Sequence, residues 1–320
     1  MKQRGSILIL IIAALWSGHA RSQSCTAVMD NVAFGNISTV SPSPVDVSGN
    51  LKISCSGFAT PKVRICAGID TPDGFFNPRY MNGPGGQRLG FNIYSDSSRT
   101  QIWGSIYNAT YGPVSTDLTL SGGAGTVTIP YYARVDPTSL STAPFGSYSV
   151  TYLTGQTMVQ TDGWITTPPA CTTNPVNRTF FSFTVTANVI ADCNISATNI
   201  NFGVIGVSTL SSPVTSTGTV TATCTNNTNY VLSMNAGLGS GATVALRKMT
   251  RTSGGQTLTY RLYSDSNRTQ MWGDGSNSTG TVAVTGNGNV QTRTVYGSIP
   301  VQVTPQVGNY SDTITVTVTY

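Results

Sequence analysis

The chain contains no glutamate and a single histidine, His19, and charged residues make up only 9% of its sequence. Histidine and glutamate most often perform general acid–base catalysis, and histidine is the commonest metal ligand. The aspartates form no recognisable pair motif. The composition therefore argues against an enzyme and predicts neither a metal site nor a cofactor. A hydrolase that uses aspartates alone is the alternative that composition leaves open.

Long apolar segments are also missing, apart from one near the N-terminus. The run from Ile7 to Trp16 follows two basic residues and precedes a small-residue site ending at Ala20. This order is typical of a secretory signal, and the run is short for a membrane span. We therefore expect residues 1–20 to be a signal peptide and the rest of the chain to be exported. A retained N-terminal anchor is the alternative.

Strong charge of either sign is absent as well. The chain has 17 basic and 12 acidic residues, and two of the basic ones lie within the expected signal. The basic residues are scattered, without runs and without interleaved aromatic residues. Nothing in this pattern supports binding to nucleic acid.

No stretch has the period of a long amphipathic helix. Threonine alternates with Val or Ile instead, most clearly over residues 313–320, and the chain is rich in Thr, Ser, Asn and Gly. Such a pattern predicts short strands joined by turns. Because the length suits two domains of ordinary size, we expect an all-β chain of two β-sandwiches.

An internal repeat supports this division. The segment Tyr94–Gly104 (YSDSSRTQIWG) recurs as Tyr263–Gly273 (YSDSNRTQMWG), and shorter matches lie on both sides of it. Two copies of one domain follow from the repeat. We place the first domain at residues 21–190 and the second at residues 191–320.

Six cysteines in an exported chain predict three disulfide bonds. No CxxC spacing suggests zinc. Two cysteines occur in both copies and are expected to bond within each copy, joining its first strand to its second. The two that remain are expected to bond to each other. The expected bridges are Cys25–Cys55, Cys193–Cys224 and Cys66–Cys171.

The two copies end differently. The first continues through a strand at residues 148–159 and a loop at 160–178 to a second strand, Phe181–Val189, whose apolar and polar residues alternate strictly. The second copy has one strand after Tyr310, and the sequence given ends at Tyr320. We therefore expect the second domain to lack its last strand, and the first to be completed in cis by residues 181–189.

A sandwich without its last strand exposes an apolar groove and unpaired backbone groups, a defect that a strand donated by another chain repairs. Only residues 21–24 precede Cys25 in the expected mature chain, about 14 Å at most, which is too short to donate a strand. A subunit that accepts a strand but donates none is expected at the end of a fibre. The alternative is a second domain that closes on itself with fewer strands.

Several motifs of the second copy carry a resemblance to a known family: Cys193, Asn201-Phe202-Gly203, Cys224, Arg247-Lys248-Met249, Leu258–Tyr263, Trp272–Gly275, Tyr296–Pro300 and Gly308–Asp312. Over most of residues 192–320 they resemble a spore coat protein U domain, as in the pilins of archaic chaperone–usher pili. The first copy resembles the same domain more loosely and has longer loops.

The resemblance implies immunoglobulin-like Greek-key sandwiches. A divergent first domain followed by a regular one is similar to the two-domain tip adhesins of these pili. It implies export through the periplasm to the fibre tip at the cell surface, with a periplasmic chaperone, an outer-membrane usher and an adjacent pilin as partners, and a role in attachment and biofilm formation. It also implies that the C-terminal strand pairs with the chaperone and borders the acceptor site. The residues expected at this edge are Ile314, Val316, Val318 and Tyr320.

Adhesion to an abiotic or host surface is expected in loops that the first copy adds. Gly and Pro mark three of them, at residues 68–86, 104–114 and 160–177, and each holds large apolar side chains. The alternative is that these side chains fold back onto the sandwich, as Trp103 and Trp272 of the repeat are expected to do. The expected adhesive residues are Phe75, Phe76, Ile106, Tyr107, Tyr111, Trp164 and Ile165.

The sequence thus predicts a non-enzymatic tip adhesin. A structural spore-coat or secreted matrix protein without an adhesive end is the main alternative. A secreted enzyme or carbohydrate-binding module is a more distant one.

Overall fold

The computed structural model of the protein describes residues 22–40, 43–173, 175, 177–206 and 210–320. The segment expected to be a signal peptide lies outside these residues. No helix in the described ranges is long and apolar enough to cross a membrane.

The first domain is a β-sandwich whose strands lie between residues 24 and 189. Its larger sheet has the strand order β1-β3-β8-β6-β5-β9-β12-β2, and its smaller sheet has the order β11-β10-β4-β7. A short helix, α1 (Pro137–Leu140), follows β8 and is capped by the Asp136 side chain. The strands are β1 (Ser24–Met29), β2 (Val32–Ile37), β3 (Asp46–Ser56), β4 (Lys62–Ile69), β5 (Arg79–Asn82), β6 (Arg88–Tyr94), β7 (Val114–Thr119), β8 (Gly125–Val135), β9 (Gly146–Tyr152), β10 (Thr157–Trp164), β11 (Arg178–Thr179) and β12 (Phe183–Val189).

The second domain repeats this plan with fewer strands. Its sheets have the orders β13-β14-β19-β17-β16-β20 and β18-β15-β21. The all-β class and the tandem of two domains are therefore confirmed. The strands are β13 (Cys193–Ala197), β14 (Val214–Cys224), β15 (Asn229–Met234), β16 (Arg247–Arg251), β17 (Thr257–Tyr263), β18 (Val282–Thr285), β19 (Val290–Ile299), β20 (Tyr310–Ser311) and β21 (Val316–Thr319).

Alternation along each strand builds the cores. In β3, Leu51, Ile53 and Cys55 are buried, while Lys52 faces solvent. Each fully buried apolar side chain contributes about 1.5–3 kcal/mol relative to an exposed one. Alternation of this kind holds each strand in one register, because a slip by one residue turns the apolar side chains outward.

The repeated segment forms the same turn in both domains. The Asp96 carboxylate accepts hydrogen bonds from the backbone N–H groups of Thr100 and Gln101, at 2.7–3.1 Å. Asp265 does the same for Thr269 and Gln270. These bonds to the carboxylate lower the pKa of both aspartates.

The tryptophans of the repeat are buried, as expected. The Trp103 indole N–H donates to the Ala67 carbonyl at 2.8 Å, and that of Trp272 to the Leu232 carbonyl at 3.1 Å. A fully buried arginine, Arg79 or Arg247, donates in turn to the carbonyl of its domain's tryptophan. Burial lowers the pKa of both guanidinium groups.

Three disulfide bonds join Cys25 to Cys55, Cys66 to Cys171 and Cys193 to Cys224. These are the pairings that the repeat predicts. In the second domain the bridge joins the first two strands, β13 and β14. In the first domain it joins β1 to β3, because β2 lies between them in the chain. The expectation that it would join the first two strands of that domain was wrong.

Two further expectations about the first domain were wrong. The strand expected at residues 148–159 is broken into β9 and β10 by a turn at residues 153–156, where Gly155 has a φ of 111°. Trp164, which we placed in a loop, is the last residue of β10 and pairs with Lys62 of β4. Strand β10 extends that far because the whole of β4 is available to it as a hydrogen-bonding partner.

Candidate functional site

Strand β12 occupies a slot between two strands of the first domain. It is antiparallel to β9, with Phe183 opposite Tyr152 and Ala187 opposite Tyr148, and parallel to β2 on its other side. Its inward side chains are all buried, whereas Thr186 between them is exposed. The slot is therefore filled by an amphipathic strand whose backbone is hydrogen-bonded on both edges. The inward residues are Phe183, Val185, Ala187 and Val189.

The corresponding slot of the second domain is an open groove. Among the described residues no strand lies between the segment at residues 197–202 and the edge at residues 310–316. A cavity of about 540 Å³ lies between them. Its lining includes Ile200, Phe202, Met234, Met249, Leu262, Val295, Ile314 and Val316. Such a groove has the apolar character of the slot that β12 fills.

The strands on either side of the groove match those around β12. Ser149 of β9 pairs with Asn82 of β5 in the first domain. At the equivalent position of the second domain, Ser311 of β20 pairs with Thr250 of β16. Residue 310 therefore corresponds to 148, 312 to 150 and 314 to 152. On the other wall, Phe202 corresponds to Phe34 of β2, as the repeated Phe-Gly pair indicates.

A polar pair lies within this apolar lining. The Tyr260 hydroxyl donates to Oδ2 of Asp312 at 2.7 Å, and the Leu238 and Thr313 N–H groups donate to Oδ1 at 2.7 and 2.8 Å. Burial and the neighbouring Asp312 carboxylate raise the pKa of Tyr260, so its hydroxyl keeps its proton and donates. The first domain has Phe91 and Val150 at these two positions.

Of the four edge residues named from the sequence, two border the groove. Ile314 and Val316 line the cavity. Val318 packs against the core of the domain, in strand β21, and β15 is the one described strand that pairs with β21. Tyr320 is more than half exposed, and its hydroxyl donates to Asp192 at 3.3 Å.

The apolar residues of the first-domain loops fall into two groups. The side group consists of Phe75, Phe76, Ile106, Tyr107 and Tyr111, on the loops after β4 and β6. Phe76 stacks on Tyr111 with ring centroids 5.9 Å apart. Phe75 and Tyr107 are more than half exposed, whereas Phe76, Ile106 and Tyr111 are half-buried. Within this group, the alternative that the side chains fold back onto the sandwich therefore applies to Phe76, Ile106 and Tyr111.

The far-end group consists of Trp164 and Ile165, at the other end of β4 from the side group. The Lys62 ammonium lies 4.7 Å from the Trp164 ring, which is half-buried, while Ile165 is 70% exposed. The loops before β4 and after β7 meet at the same end, where the Phe58 N–H donates to the Gly123 carbonyl.

The joint with the second domain lies at the opposite end of the first. Thr39, beyond the end of β2, donates to the Thr225 hydroxyl at 3.0 Å. The Asn226 amide donates to the Thr142 carbonyl just before β9, at 2.7 Å. Trp164 and Ile165 therefore lie at the end of the first domain that is remote from the second.

Two exposed apolar residues near the side group were missed by sequence reasoning. Leu153 lies in the turn between β9 and β10 and is 56% exposed, and Phe180 is 39% exposed. Gly155 within an alternating run was the available signal for this turn, because glycine inside a strand pattern often marks a break. Nothing local indicated the exposure of Phe180.

The described residues contain no cluster of three or more His, Cys, Asp or Glu side chains that could hold a metal ion.

Comparison with known proteins agrees with the repeat. The profile of the Spore Coat Protein U domain matches residues 12–153 and again residues 179–317. The chain belongs to the Spore Coat Protein U domain family. A curated relative in this family, Protein U of Myxococcus xanthus, is 33% identical over 147 residues, which cover 42% of this chain and 80% of that protein.

One solved structure is similar in fold to this chain. It is a chain of the CsuC–CsuE chaperone–tip adhesion subunit pre-assembly complex from archaic chaperone–usher Csu pili of Acinetobacter baumannii. The TM-score is 0.51 at 17% identity, with 93% of this chain and all of that chain covered. At this identity the likeness establishes a shared fold.

Proposed function

We propose that this chain is a non-enzymatic adhesin at the tip of a chaperone–usher pilus. Its second domain accepts an extended strand from the next pilin, and its first domain contacts an abiotic or host surface. The observation that carries the proposal is the difference between the two slots: the same frame is filled by β12 in the first domain and open in the second.

The open groove supports strand acceptance on physical grounds. An incoming strand would find unpaired backbone groups on two sides and an apolar floor between them, which is the combination that drives strand addition. Strand β12 supplies the template, with an inward residue at every second position and a β9 edge in antiparallel register.

The strand that continues from the groove edge supports a chaperone as the earlier partner. Strand β21 pairs with β15 on one side, and no described strand pairs with it on the other. A periplasmic chaperone that pairs with this edge would protect the groove until the usher exchanges it for a pilin. The fold is shared with a chain from a complex that pairs a chaperone with a tip adhesion subunit. We therefore expect the chain to copurify with its chaperone from the periplasm.

The far-end group is the stronger candidate for first contact with a surface. A fibre that holds the second domain leaves the remote end of the first domain outermost, and Ile165 lies there with 70% of its surface exposed. The side group offers Phe75 and Tyr107 as a second apolar contact. Burial of one such side chain contributes about 1.5–3 kcal/mol, so a few of them hold a cell without a specific ligand.

Attachment by cells that still assemble fibres tests the proposal. We expect Ile165→Ser to weaken attachment to plastic by roughly tenfold or more, the equivalent of about 1.5 kcal/mol. The paired change Phe75→Ser with Tyr107→Ser should have a smaller effect. Val290→Ser is the matched control, because Val290 is nearly as exposed, at 66%, but belongs to the second domain. Unchanged attachment in all loop variants would remove these residues from the adhesive surface.

A structural matrix protein is the second candidate, favoured by the similarity to Protein U of Myxococcus xanthus. Such a protein would be distributed through a coat or matrix. Immunogold labelling of the chain on intact cells separates the two. Gold particles at fibre ends support the tip adhesin, and label spread over a surface layer without fibres supports the matrix protein.

A further inference from the structure

The edge of the groove presents three inward positions to an arriving strand: Tyr310, Asp312 and Ile314. They correspond to Tyr148, Val150 and Tyr152, the inward residues of β9 in the filled slot. There, Val185 of β12 lies directly opposite Val150 and is fully buried. The open slot therefore differs from the filled one at its centre, where a carboxylate replaces a valine.

The Asp312 carboxylate is already partly satisfied within its own domain. It accepts three hydrogen bonds, from the Tyr260 hydroxyl and from the Leu238 and Thr313 N–H groups. A carboxylate offers about four lone-pair sites. One site therefore remains for solvent while the groove is open, and Asp312 borders the cavity that the strand would fill.

An arriving strand removes that solvent. The residue opposite Asp312 has its Cβ about 4.5–5.5 Å from that of Asp312, since directly opposed residues in antiparallel pairs are this close. A purely apolar side chain there leaves a desolvated carboxylate site without a donor, which is unfavourable. A hydroxyl donates to it in a charge-assisted bond, roughly twice as strong as a neutral one.

The space at this position limits the choice of donor. In the filled slot, the equivalent position is occupied by Val185, which has no exposed surface. Threonine has nearly the same shape, and serine is smaller. A lysine or arginine chain would have to fold into a volume that a valine fills.

We propose that Asp312 makes the groove selective for a strand that carries threonine or serine opposite it, between apolar residues opposite Tyr310 and Ile314. The inference rests on the proposed acceptance of a donor strand and names the chemistry of that strand. Asp312 is thus a specificity-determining residue of the acceptor site.

Two peptides and two full-length proteins form the test. One peptide has the sequence of residues 179–191, and the other carries Val185→Thr. We expect the threonine peptide to bind the unmodified chain about tenfold more tightly than the valine peptide. Against a chain with Asp312→Val, which restores the valine of the filled slot, the preference should vanish or reverse. Titration calorimetry or fluorescence anisotropy measures all four affinities.

Two controls keep the test decisive. A peptide with Ala187→Ser places its hydroxyl opposite Tyr310. Asp312→Val should change the affinity of this peptide by the same factor as it changes the affinity of the valine peptide. If the chain with Asp312→Val fails to fold, Asp312→Asn removes the charge and keeps the shape, and the preference should fall below threefold. Equal binding of the valine and threonine peptides to the unmodified chain overturns the inference alone. Failure of every peptide to bind overturns the proposed strand acceptance as well.

Discussion

The two domains share one frame and differ in how it is closed. Both have the aspartate-capped turn, the buried tryptophan and the buried arginine. In the first domain β12 seals the slot beside β9, and in the second the same slot is a cavity of about 540 Å³. The comparison shows the sealing strand in place in the first domain and missing from the described residues of the second, and this difference supports the proposed acceptance of a partner's strand.

The residues around the slot differ accordingly. Phe91 and Val150 beside the filled slot are apolar, whereas Tyr260 and Asp312 beside the open one form a hydrogen-bonded pair. A permanently filled slot has no need of polar groups, since its strand is fixed by covalent continuity. At the open slot, the bonds of Asp312 to Tyr260 of β17 and to the loop residue Leu238 hold the edge in place.

The ends of the two slots also differ. Phe145, just before β9, donates its backbone N–H to the Asn226 carbonyl of the second domain. Its counterpart Val307 is 90% exposed, and the nearby Val303 is 93% exposed. Phe145 itself is 45% exposed, so this end of the slot is partly covered at the joint in the first domain and is bare and apolar in the second.

The largest expected effect comes from a charge in the sealing strand. Val185→Asp buries an unpaired carboxylate between β9 and β2, and we expect it to lower the free energy of unfolding of the first domain by about 3–5 kcal/mol. Urea unfolding followed by tryptophan fluorescence measures it.

Thr186→Asp is the matched control, because Thr186 faces solvent on the same strand. It should change the free energy of unfolding by no more than about 0.5 kcal/mol. Similar losses in the two variants would mean that β12 does not seal the first domain as described.

A smaller effect is expected from the bridge that only the first domain has. Replacing Cys66 and Cys171 with serine opens a loop of 105 residues, and we expect a loss of about 2–4 kcal/mol from the first domain alone. Differential scanning calorimetry should show the first-domain transition moving down while the second stays in place. Movement of both transitions together would contradict independent cores.

The smallest effect is a pH dependence that arises at Tyr152 in the first domain. Burial raises the pKa of Tyr152 to about 12, while its counterpart Ile314 does not titrate. Since the unfolded chain loses this proton near pH 10, the contribution of Tyr152 is complete below pH 10 and declines as pH rises towards 12. The slope is about 1.4 kcal/mol per pH unit at most.

Unfolding free energies at pH 9, 10 and 11 for the unmodified chain and Tyr152→Phe measure this contribution. The advantage of tyrosine over phenylalanine should shrink by about 1 kcal/mol between pH 10 and 11. A difference that is the same at all three pH values would show that Tyr152 titrates normally.

Much of the fold followed from local pattern. The repeat gave the two domains, the strict alternation of residues 181–189 gave an inward and an outward face, and the shared cysteines gave the pairings that the disulfide bonds have. These features depend on neighbours in the chain or on a direct match between copies. They are therefore visible without knowledge of the tertiary structure.

The site was less visible because it depends on contacts between distant segments. The floor of the groove brings Phe202, Met234 and Leu262 together from separate strands, and no local pattern relates them. Asp312 belongs to an alternating run in which an aspartate suggests a turn or a solvent-facing position. Its inward direction is visible only in the tertiary structure, where Asp312 lines the groove and bonds to Tyr260. The exposure of Ile165 and Phe75, against the partial burial of Phe76 and Trp164, likewise depends on loop packing.

Amide hydrogen exchange of the full chain, with and without the peptide of residues 179–191, tests the central claim most directly. We predict that without peptide the amides of residues 310–314 exchange much faster than those of residues 148–152, which β12 covers. Peptide should slow exchange at residues 310–314 and leave residues 148–152 unchanged. Equal protection of both edges before any peptide is added would contradict an open groove in the second domain.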